Sequence, residues 1–213
     1  MRNLFLPIAL SLAASAAAAP PQRVEIGYEI ARNGSVLAEL NQRLEHDGRS
    51  YRISETWRGK GIYSLRGEAV RSSQGAVVAD GLHPRKFEDK RSGRDTLLAN
   101  FDPAAKMATP LRQDRLSFIW TFAFSPPGIP VTVNVADGKG TSTYTYQPAG
   151  RERVKTPAGE FDALKLVRRK ANADDRGTEI WLAADRQFIP VRILSIDKDG
   201  TRVDQVAVKI LPR

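Results

Sequence analysis

The stretch Val24-Glu25-Ile26-Gly27-Tyr28-Glu29-Ile30-Ala31-Arg32-Asn33-Gly34-Ser35-Val36-Leu37-Ala38-Glu39-Leu40 carries the pattern that decides the fold. Val24, Ile26, Tyr28 and Ile30 recur every second residue, with Glu25, Gly27 and Glu29 between them. A strand sends alternate side chains to opposite faces, so this spacing predicts one buried and one solvated face. Asn33-Gly34 then tolerates the positive φ angles of a tight hairpin. Beyond it Val36, Ala38 and Leu40 alternate with Ser35, Leu37 and Glu39. Four more pairs of the same kind follow, at Asp47-Gly48, Asp80-Gly81, Asp137-Gly138 and Asp199-Gly200. Tyr51, Ile53 and Trp57 recur opposite Arg52, Ser54, Thr56 and Arg58, and Val206, Val208 and Ile210 close the chain in the same way. Together these predict an antiparallel meander.

One segment breaks the rhythm. Leu116 to Phe124 reads Leu-Ser-Phe-Ile-Trp-Thr-Phe-Ala-Phe, which would alternate as a strand. It also suits a helix: Asp114 is a good N-cap, Leu116, Ile119, Trp120 and Ala123 fall at helical spacing, and Pro126-Pro127-Gly128 ends it. A short helix over about 114–125 is the favoured reading. Being apolar on more than one side, it must be buried between layers or line a cavity. Ile180-Trp181-Leu182, Ile193-Leu194 and the crowd Leu164, Leu166 and Val167 imply that the later strands are covered on both faces. The expected fold is therefore mainly β, a curved antiparallel meander or half-barrel with the short helix packed over it.

The N-terminus reads as a secretory signal. Arg2 supplies the positive charge, Leu4 to Leu12 a short apolar core, and Ala13 to Ala19 a run of small residues. That core is shorter than the ~20 residues needed to span a bilayer. Proline after the cut blocks cleavage, so the bond between Ala18 and Ala19 is expected to break, leaving 1–18 as signal peptide and 19–213 as a single β-rich domain. No cysteine occurs in the 213 residues, which excludes disulfides, thiolate chemistry and a lipid-bearing cysteine. Beyond residue 18 stand 32 basic and 24 acidic side chains. Such a surface suits anionic partners of the envelope rather than nucleic acid, though the favoured reading is that the charge keeps a secreted domain soluble. The expected location is the periplasm, without a membrane-spanning segment.

Chemistry is harder to find. The two histidines, His46 at a hairpin tip and His83 beside Pro84, show no metal-ligand spacing and read as surface residues. No Gly-x-Ser-x-Gly elbow or phosphate-binding glycine loop occurs. Arg85-Lys86, Lys90-Arg91 and Arg168-Arg169-Lys170 lack the interleaved aromatics that stack bases, and read as solvated strand edges. Glu55 falls in register with Tyr51, Ile53 and Trp57. There it would sit at a cavity mouth, pair with an arginine or have a raised pKa, but fraying or bulging near Gly59 and Gly61 is the favoured reading and would leave it wet. No enzyme, cofactor or metal is expected.

Several phrases taken in order resemble a known family. They are Asp80-Gly81-Leu82-His83-Pro84-Arg85-Lys86-Phe87, Phe101-Asp102, Gln113-Asp114-Arg115-Leu116-Ser117, Thr156-Pro157-Ala158-Gly159-Glu160-Phe161, Trp181-Leu182-Ala183 and Ile189-Pro190-Val191-Arg192. The series is similar to the bacterial envelope family called domain of unknown function 3108. That resemblance implies a secreted β-rich fold and brings no catalytic residues. The last third is also similar to LolA-like lipoprotein carriers, which implies a half-barrel closed by helices over an apolar cavity. The expected function is binding of a lipid or other apolar ligand, with Trp57, Phe118, Trp120, Phe122, Trp181 and Glu55 as candidate lining. The alternative is a structural or protein-interaction module in which the same aromatics are ordinary core.

Overall fold

The computed structural model describes residues 19–102, 111–172 and 174–212, so the expected signal segment lies outside it. Thirteen strands form one sheet: β1 Arg23–Arg32, β2 Ser35–His46, β3 Ser50–Gly59, β4 Glu68–Val78, β5 Gly81–Arg91, β6 Leu97–Asn100, β7 Leu111–Asp114, β8 Val131–Ala136, β9 Thr141–Thr156, β10 Gly159–Arg169, β11 Gly177–Ala183, β12 Ile189–Ile196 and β13 Arg202–Pro212. The expected helix is α1, Ser117–Phe124. A 3₁₀ turn, Gly61–Arg66, joins β3 to β4, and a shorter one, Ala184–Arg186, follows β11.

The sheet runs β6-β5-β4-β3-β2-β1-β13-β12-β11-β10-β9-β8-β7, so the first and last strands of the meander meet in its middle. Every neighbouring pair is antiparallel except β7 with β8. The five Asn/Asp-Gly pairs fall between consecutive strands as expected, and Asn33 and Gly34 both take positive φ, 48° and 85°. Along β1 the burial alternates as the sequence predicts, with Val24, Ile26, Tyr28 and Ile30 inward. Register shifts at Gly27/Tyr28, Gln74/Gly75 and Trp181/Leu182 bend the sheet, since an extra residue on one strand increases local twist.

The edge strand β7 comes back against β5 at a seam, making the sheet a nearly closed barrel. The Leu82 N–H of β5 donates to Thr121 Oγ1 of α1 at 3.3 Å, and Gln113 Nε2 of β7 donates to the Leu82 carbonyl at 2.8 Å. Gly81 makes this approach possible: its φ is +120°, and a Cβ there would lie 2.6 Å from the Thr121 methyl. At one end of the seam the Gly138 turn presses on β6, where an added Cβ would meet the Leu98 nitrogen at 2.8 Å.

Helix α1 lies against the inner face and touches both halves of the barrel. Leu116, Trp120 and Ala123 join a large apolar cluster with Val24, Ile26, Leu44 and Ile53. Phe122 enters a second cluster with Val133, Val135, Tyr146, Leu166, Ile180 and Leu182. The helix thus covers the Ile180 and Leu182 side of the late strands through Phe122, while Trp181 on the other side is covered by the Lys165 and Arg192 side chains.

Candidate functional site

Four polar residues lie side by side across the front strands. Gln42 of β2 is the direct register partner of Glu55 on β3, Glu55 of Arg71 on β4, and Arg71 of Asp89 on β5. All four face the inside, because each is two residues from a buried inward neighbour, Leu44, Ile53, Ser73 or Phe87. Gln42 Nε2 donates to Glu55 Oε2 at 2.9 Å. Arg71 reaches Glu55 Oε1 from Nη1 at 2.7 Å and Asp89 Oδ2 from Nε at 3.2 Å. Arg91 grips Asp89 with two bonds, 3.0 and 2.7 Å. Burial alone would raise the Asp89 pKa, but the guanidiniums of Arg91 and Arg71 outweigh it and hold the carboxyl below its usual range.

This corrects two expectations. Glu55 is only 5% exposed, because β3 continues as regular strand to Gly59 and carries the residue inward opposite Arg71. Arg91 is not a solvated edge: its head turns in to Asp89. His46 is also not an exposed tip. It is half-buried at the end of β2, its Nε2 lies 2.9 Å from the Pro20 carbonyl oxygen, and its ring meets Phe124 edge-on at 4.9 Å.

A second polar knot starts α1. The Leu116 and Ser117 N–H groups each donate to Asp114 Oδ1 at 2.8 Å, so Asp114 holds the helix start, although the N-cap position itself is Leu116, two residues later than expected. Ser73 Oγ donates to its other oxygen at 2.6 Å, and Tyr51 OH lies 2.9 Å from Ser73 Oγ. Burial dominates these donors and pushes the Asp114 carboxyl up to about 6.

The candidate residues are dispersed. Trp120, fully buried, donates its indole N–H to Gln42 Oε1 at 2.8 Å. Phe122 is in the second cluster, and Phe118, half-buried, stacks on Tyr146 at 5.9 Å. Trp181 lies 4.8 Å from both the Lys165 nitrogen and the Arg192 guanidinium carbon, and donates to Glu152 at 2.6 Å. Only Trp57 of the six lines one of the cavities described here, a 590 Å³ mouth beside the Gly61–Arg66 turn.

At the opposite end lies a 370 Å³ chamber that sequence reasoning missed. The start of β1, the end of β13, the β9–β10 hairpin tip and the Ala184–Arg186 turn enclose it. Val24, Phe161, Ile189 and Ile210 give it apolar walls, while Asp185 and Arg186 are exposed at its edge. The hairpin tip is fixed there by the Ala158 N–H, which donates to the Ala207 carbonyl at 3.1 Å. No signal in the sequence places residue 158 beside residue 207. A further groove of 630 Å³, between Gln22, Glu45, Asp47 and Arg85, is open and polar. Among the described residues no three His, Asp or Glu side chains gather as a metal site. No helix among them is long and apolar enough to cross a membrane.

An inward helix, a nearly closed meander and a seam stitched by side chains define a β-barrel-like protein. The fold is similar to that of a β-barrel-like protein of domain of unknown function DUF1849 from Brucella abortus, with 8% identity, coverage of 90% of this chain and 98% of that one, and a TM-score of 0.51. The chain belongs to the DUF3108 family of proteins of unknown function, whose model matches residues 23–206. It is also similar to a chain of the Pseudomonas aeruginosa MucA/MucB complex, with 18% identity and a TM-score of 0.39, covering 90% of this chain and 52% of that one. No curated protein matches it.

Proposed function

We propose that the protein is exported to the periplasm, catalyses no reaction, and holds an apolar or lipid-like molecule in the chamber at the β9–β10 end. The chamber itself carries this reading: 370 Å³ walled by Val24, Phe161, Ile189 and Ile210. Ligand sites of about 300–1,000 Å³ with apolar walls and a few polar groups at one side are typical of small-molecule binding. Each methylene buried there contributes about 0.8 kcal/mol, and Asp185 and Arg186 give the exposed edge polar groups of both signs for a headgroup. Glu55, Trp120 and Phe122 then act as support, filling the interior so that the open space is left at its ends. Native mass spectrometry of the mature protein tests this. An adduct of lipid mass on the folded protein is expected, and a bare mass that takes up no added fatty acid would overturn the reading.

A second reading, a protein-interaction module, is favoured by one observation. Ile62 and Leu65 are 78% and 89% exposed on the Gly61–Arg66 turn. That turn is pinned rather than loose: Lys60 N–H donates to the Leu37 carbonyl at 2.8 Å, and Ser64 Oγ to the Gly61 carbonyl at 2.7 Å. Partner loss on Leu65→Ser, with fatty acid binding intact, would favour it.

A further inference from the structure

We infer that the 590 Å³ mouth is an anion-binding site, taking a carboxylate or phosphate ester carried on a body flat enough to lie along Trp57. The mouth is lined by Trp57, Arg71, Arg91 and Arg94, with Glu68 and Ser92 beside them. Its free hydrogen-bonding groups are mostly donors. Arg71 uses Nε and Nη1 on Asp89 and Glu55, and Arg91 uses Nε and Nη2 on Asp89, which among the described residues leaves each with an unspent N–H₂ group. Arg94 is exposed, and its side chain pairs with no acid among the described residues. Trp120 and Trp181 give their indole N–H groups to Gln42 and Glu152. Trp57, unlike those two, has no acceptor for its own among the described residues.

Charge points the same way. Three guanidiniums, Arg71, Arg91 and Arg94, face two buried carboxylates, Glu55 and Asp89. One positive charge is left over, the complement of a single oxyanion. Glu68 is neutralised by Arg58 at 3.2 Å. The adjoining 200 Å³ recess adds Asp95 and Lys139, whose charges cancel. The carboxylates also hold Arg71 and Arg91 in place, so little ordering cost remains when an anion arrives. A planar guanidinium offers parallel N–H donors matched to carboxylate and phosphate oxygens. This site lies at the other end of the barrel from the apolar chamber and stands or falls separately.

The test is titration of the mature protein with phenyl phosphate, read by the Trp57 indole N–H resonance, with benzyl alcohol as neutral control. A second arm uses phosphatidylcholine vesicles with and without phosphatidylglycerol. Phenyl phosphate is expected to shift the Trp57 signal, benzyl alcohol is not, and Arg94→Ala is expected to weaken binding about ten-fold, the loss of a charged hydrogen bond. Arg94 is exposed and its side chain has no partner among the described residues, so the variant should fold. An Arg94-dependent response confined to the phosphatidylglycerol vesicles would assign the anion to a lipid headgroup. A Trp57 signal unmoved in both arms, an equal response to benzyl alcohol, or unchanged affinity in Arg94→Ala would overturn the proposal.

Discussion

The polar row on β2–β5 and the dry cluster on β8–β11 both face α1, yet they hold the barrel by opposite means. Val133, Val135, Tyr146, Leu166, Ile180 and Leu182 receive Phe122 through apolar contacts, with Arg168 beside them over the Tyr144 ring at 4.2 Å. Stability there scales with apolar area removed from water. Across the barrel, Gln42, Glu55, Arg71 and Asp89 bury charge and depend on every partner being present. A buried ion pair gains little over an apolar pair of the same shape, but losing one partner is costly. The dry side therefore supplies stability, while the polar side sets which residues may face each other. The helix reads both, Phe122 on one side and Trp120 through Gln42 on the other.

Substitution at Arg71 breaks the comparison most sharply. Arg71→Met strands Glu55 and is expected to cost about 3–5 kcal/mol in denaturant unfolding, whereas the double variant Glu55→Met with Arg71→Met should cost less than the single. Equal losses would mean that the row is solvated. Leu182→Ala on the dry side should cost about 3 kcal/mol by cavity formation, with no rescue from a partner change.

Asp114 sharpens the contrast through pH. Its folded pKa of about 6 lies above the ordinary value of 3.8, so the folded state holds this proton more tightly than the unfolded. Its contribution to stability is complete at low pH and is lost as pH rises from about 4 through 6. Two units correspond to up to about 3 kcal/mol. Stability of the wild type relative to Asp114→Asn should therefore decline between pH 4 and 7, and carboxyl NMR should find the midpoint near 6. The smallest effect is expected for Trp120→Phe, about 1–3 kcal/mol, because it orphans Gln42 Oε1.

The same asymmetry governs what could be read from the sequence. Alternation in β1 and the five Asn/Asp-Gly turns report local backbone needs, so the meander was legible, as was α1 from its cap and its proline stop. With the Asp47-Gly48 turn fixed, Gln42 opposite Glu55 follows from register. Arg71 and Asp89 do not, because the register shift at Gln74/Gly75 moves the β4–β5 pairing, and a one-residue slip sends every side chain to the other face. The wet reading of Glu55 failed for a related reason: Gly59 is not a bulge but a close contact, where an added Cβ would meet the Tyr63 carbonyl. The chamber depends on the β9–β10 tip reaching β13, a meeting of residues about fifty apart that leaves no local trace.

Whether that chamber receives a ligand is most directly tested by titrating a fluorescent fatty acid into wild type and Ala158→Trp, in which the indole occupies the space between Phe161 and Ile210. Saturable binding at about micromolar concentrations, abolished in the variant while its unfolding transition is unchanged, is the expected result. Equal uptake by both proteins, or none by either, would contradict it.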